Sequence, residues 1–162
     1  MDAFYLQKEL AKEITKITDG MYFANKDGKQ VSLNVYEQRL PYNLDDYDEK
    51  RDSFFPFAIV RLENGKCSIN VEDNTVTVTV IIGVRDDDSE NSGEKQIIGI
   101  IQRIMQRFAE NNILKCFIQH GDINWTLETE DNYPYDTYPY SFGGMVLTFQ
   151  IPKIERKENI YT

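Results

Sequence analysis

The densest group of chemically capable side chains is the acidic run Asp86-Asp87-Asp88-Ser89-Glu90, which offers hard oxygen ligands of the kind that hold calcium. Its spacing fails that chemistry. With Asp86 as the first ligand of a calcium loop, Asn91 falls where the turn needs glycine and Ile97 where a bidentate glutamate is needed. The run also precedes a helical pattern, where carboxylates complement the positive end of the helix dipole. A solvated capping turn accounts for it, and no metal site is assigned.

His120, the only histidine, stands beside Gly121-Asp122 and could move a proton, but neither a GxSxG elbow nor a cysteine signature accompanies it. Cys67 and Cys116 lie far apart, with no CxxC pair or neighbouring histidine. They read as two buried or half-buried thiols, a single disulfide being the alternative. Gly143-Gly144 lacks the lysine and spacing of a Walker loop and marks a bulge or a close backbone approach. No catalytic residue and no cofactor is assigned.

Between Asn132 and Tyr140 two Tyr-Pro-Tyr units present Tyr133, Tyr135, Tyr138 and Tyr140. Stiff backbone carrying amphipathic rings suits a protein interface, and the same residues could instead fold back over the domain's own sheet. Stacking on single-stranded nucleic acid is opposed by Glu128, Glu130, Asp131 and Asp136. The whole chain points the same way: 18 Lys and Arg against 27 Asp and Glu leave a formal charge of -9, a field that repels phosphate backbones.

The elements that must position these groups follow from periodicity. Phe4, Leu6, Leu10, Ile14 and Ile17 describe an amphipathic helix capped by Asp2 and stopped at Asp19-Gly20, its other face carrying Lys8, Glu9, Lys12, Glu13 and Lys16. Asn25–Lys29 reads as a hairpin turn, with Met21-Tyr22-Phe23 leading in and Val31, Leu33 and Val35 leading out. Residues 42–53 are almost purely polar and read as an exposed acidic loop. A strand follows over Phe54–Leu62, with a turn at Glu63-Asn64-Gly65-Lys66.

Thr75–Arg85 alternates β-branched residues and then becomes continuously apolar, as a central strand does. After the acidic turn, Ile97, Ile98, Ile101, Ile104, Met105 and Phe108 form a second helical stripe, opened by Asn91 with Glu94 and ending near Asn111-Asn112. Ile113-Leu114 and Phe117-Ile118 suggest a crossover; Ile123–Glu128 and Phe142–Ile151 alternate as strands, the last stopped by Pro152. Residues 153–162 read as a charged, frayed tail.

These elements predict one α+β domain over 1–162, with a four- or five-stranded mixed, largely antiparallel sheet packed against two helices. No apolar segment reaches membrane-spanning length and the N-terminus lacks a signal-peptide pattern, which disfavours membrane insertion and secretion.

Several features together resemble the tail-completion, or tail-terminator, proteins of tailed bacteriophages and prophages. They are Phe55-Pro56-Phe57-Ala58-Ile59-Val60-Arg61-Leu62, the Thr-Val strand ending Ile82-Gly83-Val84-Arg85-Asp86, the helix after a short acidic turn, the Trp125 strand, and Tyr135 to Gly143 followed by Met145 and Pro152. The resemblance covers roughly residues 54 to 153 as an order of elements backed by short motifs. Residues 1–53 agree only in a leading helix and a strand.

The resemblance implies a non-enzymatic structural protein that forms a ring, typically a hexamer, on the head-proximal end of the tail tube. Such a ring ends tube polymerisation and presents a surface to the head connector. Its partners would be itself, the tail tube protein, a head-completion or connector protein, and DNA that passes without specific binding. Its place would be the bacterial host cytoplasm during assembly and then the virion tail.

The family brings no catalytic residues, so surfaces are the site. Asp86, Asp87 and Asp88 are candidates to line the lumen, where acidic side chains would keep phosphates from sticking. Tyr135, Tyr138 and Tyr140 are candidates for a subunit or partner contact. Another head–tail connector or neck protein, a monomeric α+β module that binds peptides through its tyrosines, and a small hydrolase using His120 are the competing readings.

Overall fold

The computed structural model describes residues 2–25, 27–41, 51–70, 73–87, 92–128 and 139–152. In chain order the elements are α1 (Ala3–Ile17), β1 (Phe23–Ala24), β2 (Gln30–Val31), β3 (Asn34–Glu37), a 3-10 turn (Arg51–Phe54), β4 (Phe57–Lys66), β5 (Thr75–Arg85), α2 (Ser92–Glu110), β6 (Ile113–Leu114), β7 (Phe117–Leu127) and β8 (Tyr140–Gln150). The class is α+β: two helices, a six-stranded mixed sheet in the order β3-β4-β5-β8-β7-β6, and a two-stranded sheet of β1 and β2. The sheet is wider than the four or five strands expected, because two short strands, β3 and β6, add themselves to its edges.

β5 is central and pairs antiparallel with β4 on one side and β8 on the other. Its alternation is the sheet's two faces. Val76, Val78, Val80, Ile82 and Val84 are buried among the helices, while Thr75, Thr77, Thr79 and Ile81 turn to the opposite face. Both helices lie on the valine side. Leu6, Leu10 and Ile14 of α1 and Ile97, Ile100, Ile101, Ile104 and Phe108 of α2 share one core with Leu147 and Phe149 of β8. Each fully buried aliphatic side chain there contributes about 1.5–3 kcal/mol relative to exposure.

The helix ends follow the sequence signals. The Tyr5 N–H donates to Asp2 Oδ1 at 2.9 Å, and Gly20 takes φ +88 after the last turn of α1. The apolar stripe is narrower than the periodicity implied: Phe4 is exposed, whereas Glu9, expected on the wet face, is buried beside Lys12. The opening cap of α2 expected at Asn91 lies outside the described residues.

Four sequence expectations change in the structure. The hairpin at Asn25–Lys29 forms, but its outgoing run divides: β2 stays with β1, and β3 joins β4 in parallel. The turn expected at Glu63–Lys66 is strand, because a register shift between Leu62 and Asn64 absorbs the break and lets β4 run on opposite Thr77, Val76 and Thr75. The 113–118 crossover is instead a tight turn between β6 and β7, with Lys115 at φ +56. Residues 51–53, expected at the end of an exposed loop, and Phe54, expected to open the next strand, form the 3-10 turn, with Phe54 buried; residues 42–50 and 153–162 lie outside the description.

Gly99 lies in mid-helix on α2, and a Cβ there would meet only Met21 Cε at an ordinary 3.5 Å. Gly99→Ala is therefore expected to stabilise the protein by about 0.5–1 kcal/mol, mainly by restricting the unfolded chain. Thermal unfolding should show a rise of about 1–4 °C. Among the described residues no helix is long and apolar enough to cross a membrane.

Candidate interaction surface

The acidic turn is tied into the fold. Asp86 Oδ2 accepts from Ser92 Oγ and from Gln96 Nε2, each at 2.7 Å, which commits this carboxylate to the first turn of α2. Asp87 is exposed and accepts from Arg85 Nη1 at 3.2 Å. Asp88 lies outside the described residues. No group of three or more histidine, cysteine or acidic side chains that could hold a metal ion occurs among the described residues.

Arg85 joins this turn to the aromatic end of the sheet. Partial desolvation pulls its affinity for a proton down, but Asp87, Tyr140 and Asp52 around it raise the pKa on balance. Tyr140 donates its hydroxyl to Asp52, and its ring lies 5.1 Å from that of Phe55. Tyr140 thus packs within its own chain; Tyr135 and Tyr138 lie outside the described residues.

A second core occupies the sheet face away from the helices. Phe54, Phe55, Phe57 and Ile59 are buried there against Tyr36, Leu40, Ile81, Tyr140 and Phe142. Phe55 is the hub, with ring centroids 4.9 Å from Phe57 and 5.9 Å from Phe142, and a cis peptide bond leads from it into Pro56. The strand expected over Phe54–Leu62 carries no sequence mark of this second core except at its neighbour Gly83, whose absent Cβ leaves room for the Phe57 ring.

Burial also raises the pKa of Tyr36, which meets Phe54 edge-on at 6.3 Å. In the unfolded chain this phenol loses its proton around the usual 10.0, whereas the folded protein holds it longer. The contribution is fully present below pH 10 and is lost as pH rises through the folded value. Tyr36→Phe should therefore lose less stability than wild type between pH 9 and pH 11, read as the shift in urea midpoint.

The rest of this sheet face is uncovered among the described residues. Thr75, Thr77 and Thr79 of β5 stand beside Thr148 and Val146 of β8 and Asn124 and His120 of β7, with Val146 and Ile118 exposed. His120 is therefore one surface residue in a polar row. Neither cysteine is in a disulfide; Cys116 is half-buried as expected, but Cys67 is exposed just past the end of β4.

Among the described residues most of the outer edge of β7 has no partner either. β6 reaches only Phe117 and Ile118, and Gln119 adds two bonds to Asn112, donating its N–H to the Asn112 carbonyl and accepting from Asn112 Nδ2 at its own carbonyl. Farther along, Trp125 is 45% exposed on the helix side of the strand. Sequence alternation located this strand, but only the sheet order puts it at the edge. No family model matches the chain, and no curated protein matches it either.

Proposed function

We propose that this chain is a structural subunit of a phage or prophage tail, a tail terminator. It forms a ring, typically a hexamer, on the head-proximal end of the tail tube, ends tube growth and offers a docking surface to the head connector. The observation that supports this reading most is the element order behind the resemblance. β4, β5, α2, β7 and β8 follow one another, the four strands form one antiparallel sheet, and the helix packs on one of its faces. A body of this kind is stiff, and among the described residues part of one sheet face and stretches of both edges are left to neighbours, as a ring subunit needs.

The same reading gives the polar residues non-catalytic work. Asp86 orders the start of α2, Arg85 and Tyr140 tie down the 51–54 turn, and Asp87 remains directed to solvent, where with Asp88 it would face passing DNA. The acidic balance of the chain fits a channel through which phosphates slide.

Deletion of the gene from the phage or prophage tests the proposal. Tails of irregular, extended length that fail to join heads are expected in electron micrographs. Tails of normal length that join heads would refute the terminator reading. Normal-length tails that fail to join heads would transfer the protein to the neck.

A further inference from the structure

The two long edges of the six-stranded sheet differ in chemistry and match in length. On β7, the Glu128 N–H donates to the Phe142 carbonyl of β8, so by antiparallel alternation Thr126 and Asn124 also turn their backbone groups toward β8. Ile123, Trp125 and Leu127 then present theirs outward, and nothing among the described residues pairs with them. The stretch is flanked by exposed Asp122 and Glu128, and Gln119 Nε2 covers only the His120 and Gly121 carbonyls before it.

At the other end of the sheet, β3 covers β4 only from Phe57 to Val60. Gln38 extends that cover by one step. Held at φ +70, it donates its N–H to the Val60 carbonyl at 2.9 Å, and its side chain bonds both the N–H and the carbonyl of Leu62, at 3.1 and 3.3 Å. Beyond it the outer edge of Glu63–Lys66, whose inner edge pairs with Thr75–Thr77 of β5, has no partner among the described residues, and Arg61 and Lys66 stand toward its two ends.

An unpaired, half-apolar edge invites a strand, and charge selects which. In a two-fold pairing of β7 with its own copy that uses all three outward positions, Asp122 would face Glu128 of the partner twice, and like charges directly opposite are destabilising. The β4 edge has the complementary flanks. Arg61 and Lys66 lie opposite Thr79 and Thr75, four ladder steps apart, and Asn124 and Glu128 stand the same distance apart against Val146 and Phe142, about 13 Å. β4 and β7 run in opposite directions, so copies in one orientation meet antiparallel.

We infer that the β7 edge, centred on Trp125, pairs with the Glu63–Lys66 edge of β4 in a second copy of this chain, with Glu128 answering Arg61 and Asp122, one diagonal step beyond Asn124, reaching Lys66. The contact is head-to-tail, so each copy keeps one edge of each kind open for the next, the arrangement that closes into rings. Trp125 supplies the buried anchor and the charges set register. This inference rests on the ring reading and names its interface.

The test measures native mass with and without purified tail tubes for wild type, Asp122→Lys, Lys66→Glu and the double variant. Both residues are exposed, so the folded monomer should keep its circular dichroism and melting temperature. Each single reversal is expected to lower the assembled fraction at fixed concentration about tenfold, and the double variant to recover most of it. Singles that assemble like wild type, or a double variant no better than the singles, overturn this interface while the ring reading stands. A wild type that stays monomeric even on tubes overturns both.

Discussion

Phe149→Ala should cost about 3–5 kcal/mol of unfolding free energy, a large share of the 5–15 kcal/mol typical of a domain. Phe149 is fully buried on β8 between β5 and β7, and it meets the Phe108 ring of α2 edge-on at 5.4 Å and 78°. Truncation removes the transfer energy of the ring and leaves a cavity under α2 that a sheet held on both sides cannot collapse to fill. The urea midpoint should fall with the slope unchanged. Phe4→Ala is the contrast. Phe4 belongs to the same kind of apolar stripe in the sequence but is 73% exposed, so its loss should stay within about 0.5 kcal/mol. Equal losses at the two positions would refute the face assignment of α1.

Gly83→Val is the second large effect, and its mechanism is opposite. A Cβ at Gly83 would stand 2.4 and 2.6 Å from two Phe57 ring carbons and 3.0 Å from Phe55, inside van der Waals contact on the face away from the helices. The rings are held by Tyr140, Phe142 and the 51–54 turn, so the strain spreads into the aromatic core, costing about 1–3 kcal/mol. Shrinking Phe57 to leucine in the same chain should return part of the loss. The coupling in the double-mutant cycle should be about 0.5–3 kcal/mol, whereas additivity would show that the clash is relieved elsewhere.

Most of the fold was legible because burial on one side of a sheet and one side of a helix leaves a periodic record. The Thr-Val alternation of β5 and the isoleucine stripe of α2 told which face is dry. Gly143 was legible as a close approach, and a Cβ there would stand 2.7 Å from Ile97 Cγ2. Short elements were not legible. β6 has two residues and β3 four, too few for a period, and both form by pairing with a longer neighbour.

The interaction surface was only half legible. The acidic run before α2 has a local cause, and its first residue, Asp86, accepts from the Ser92 and Gln96 side chains near the helix start. The partners of Gln7 had no such signal. Its amide donates at 2.8 Å to both Gln38 Oε1 and the Val60 carbonyl, groups 31 and 53 residues away, and is buried only because α1 lies across β3 and β4. Likewise Glu13 and Arg107, 94 residues apart, look like ordinary surface charges until α1 and α2 bring them together.

Local order therefore settled the long elements of this protein: which long runs are helix or strand, where α1 is capped, and why an aspartate at 86 suits a helix start. Tertiary pairing alone decided which strands are edges, which aromatic rings form a second core, and which tyrosine is committed to its own chain. The physical reason is range. Periodicity and capping act within a few residues, whereas an edge exists only once β4, β5, β8 and β7 have taken their order, and that order joins residues far apart in the sequence.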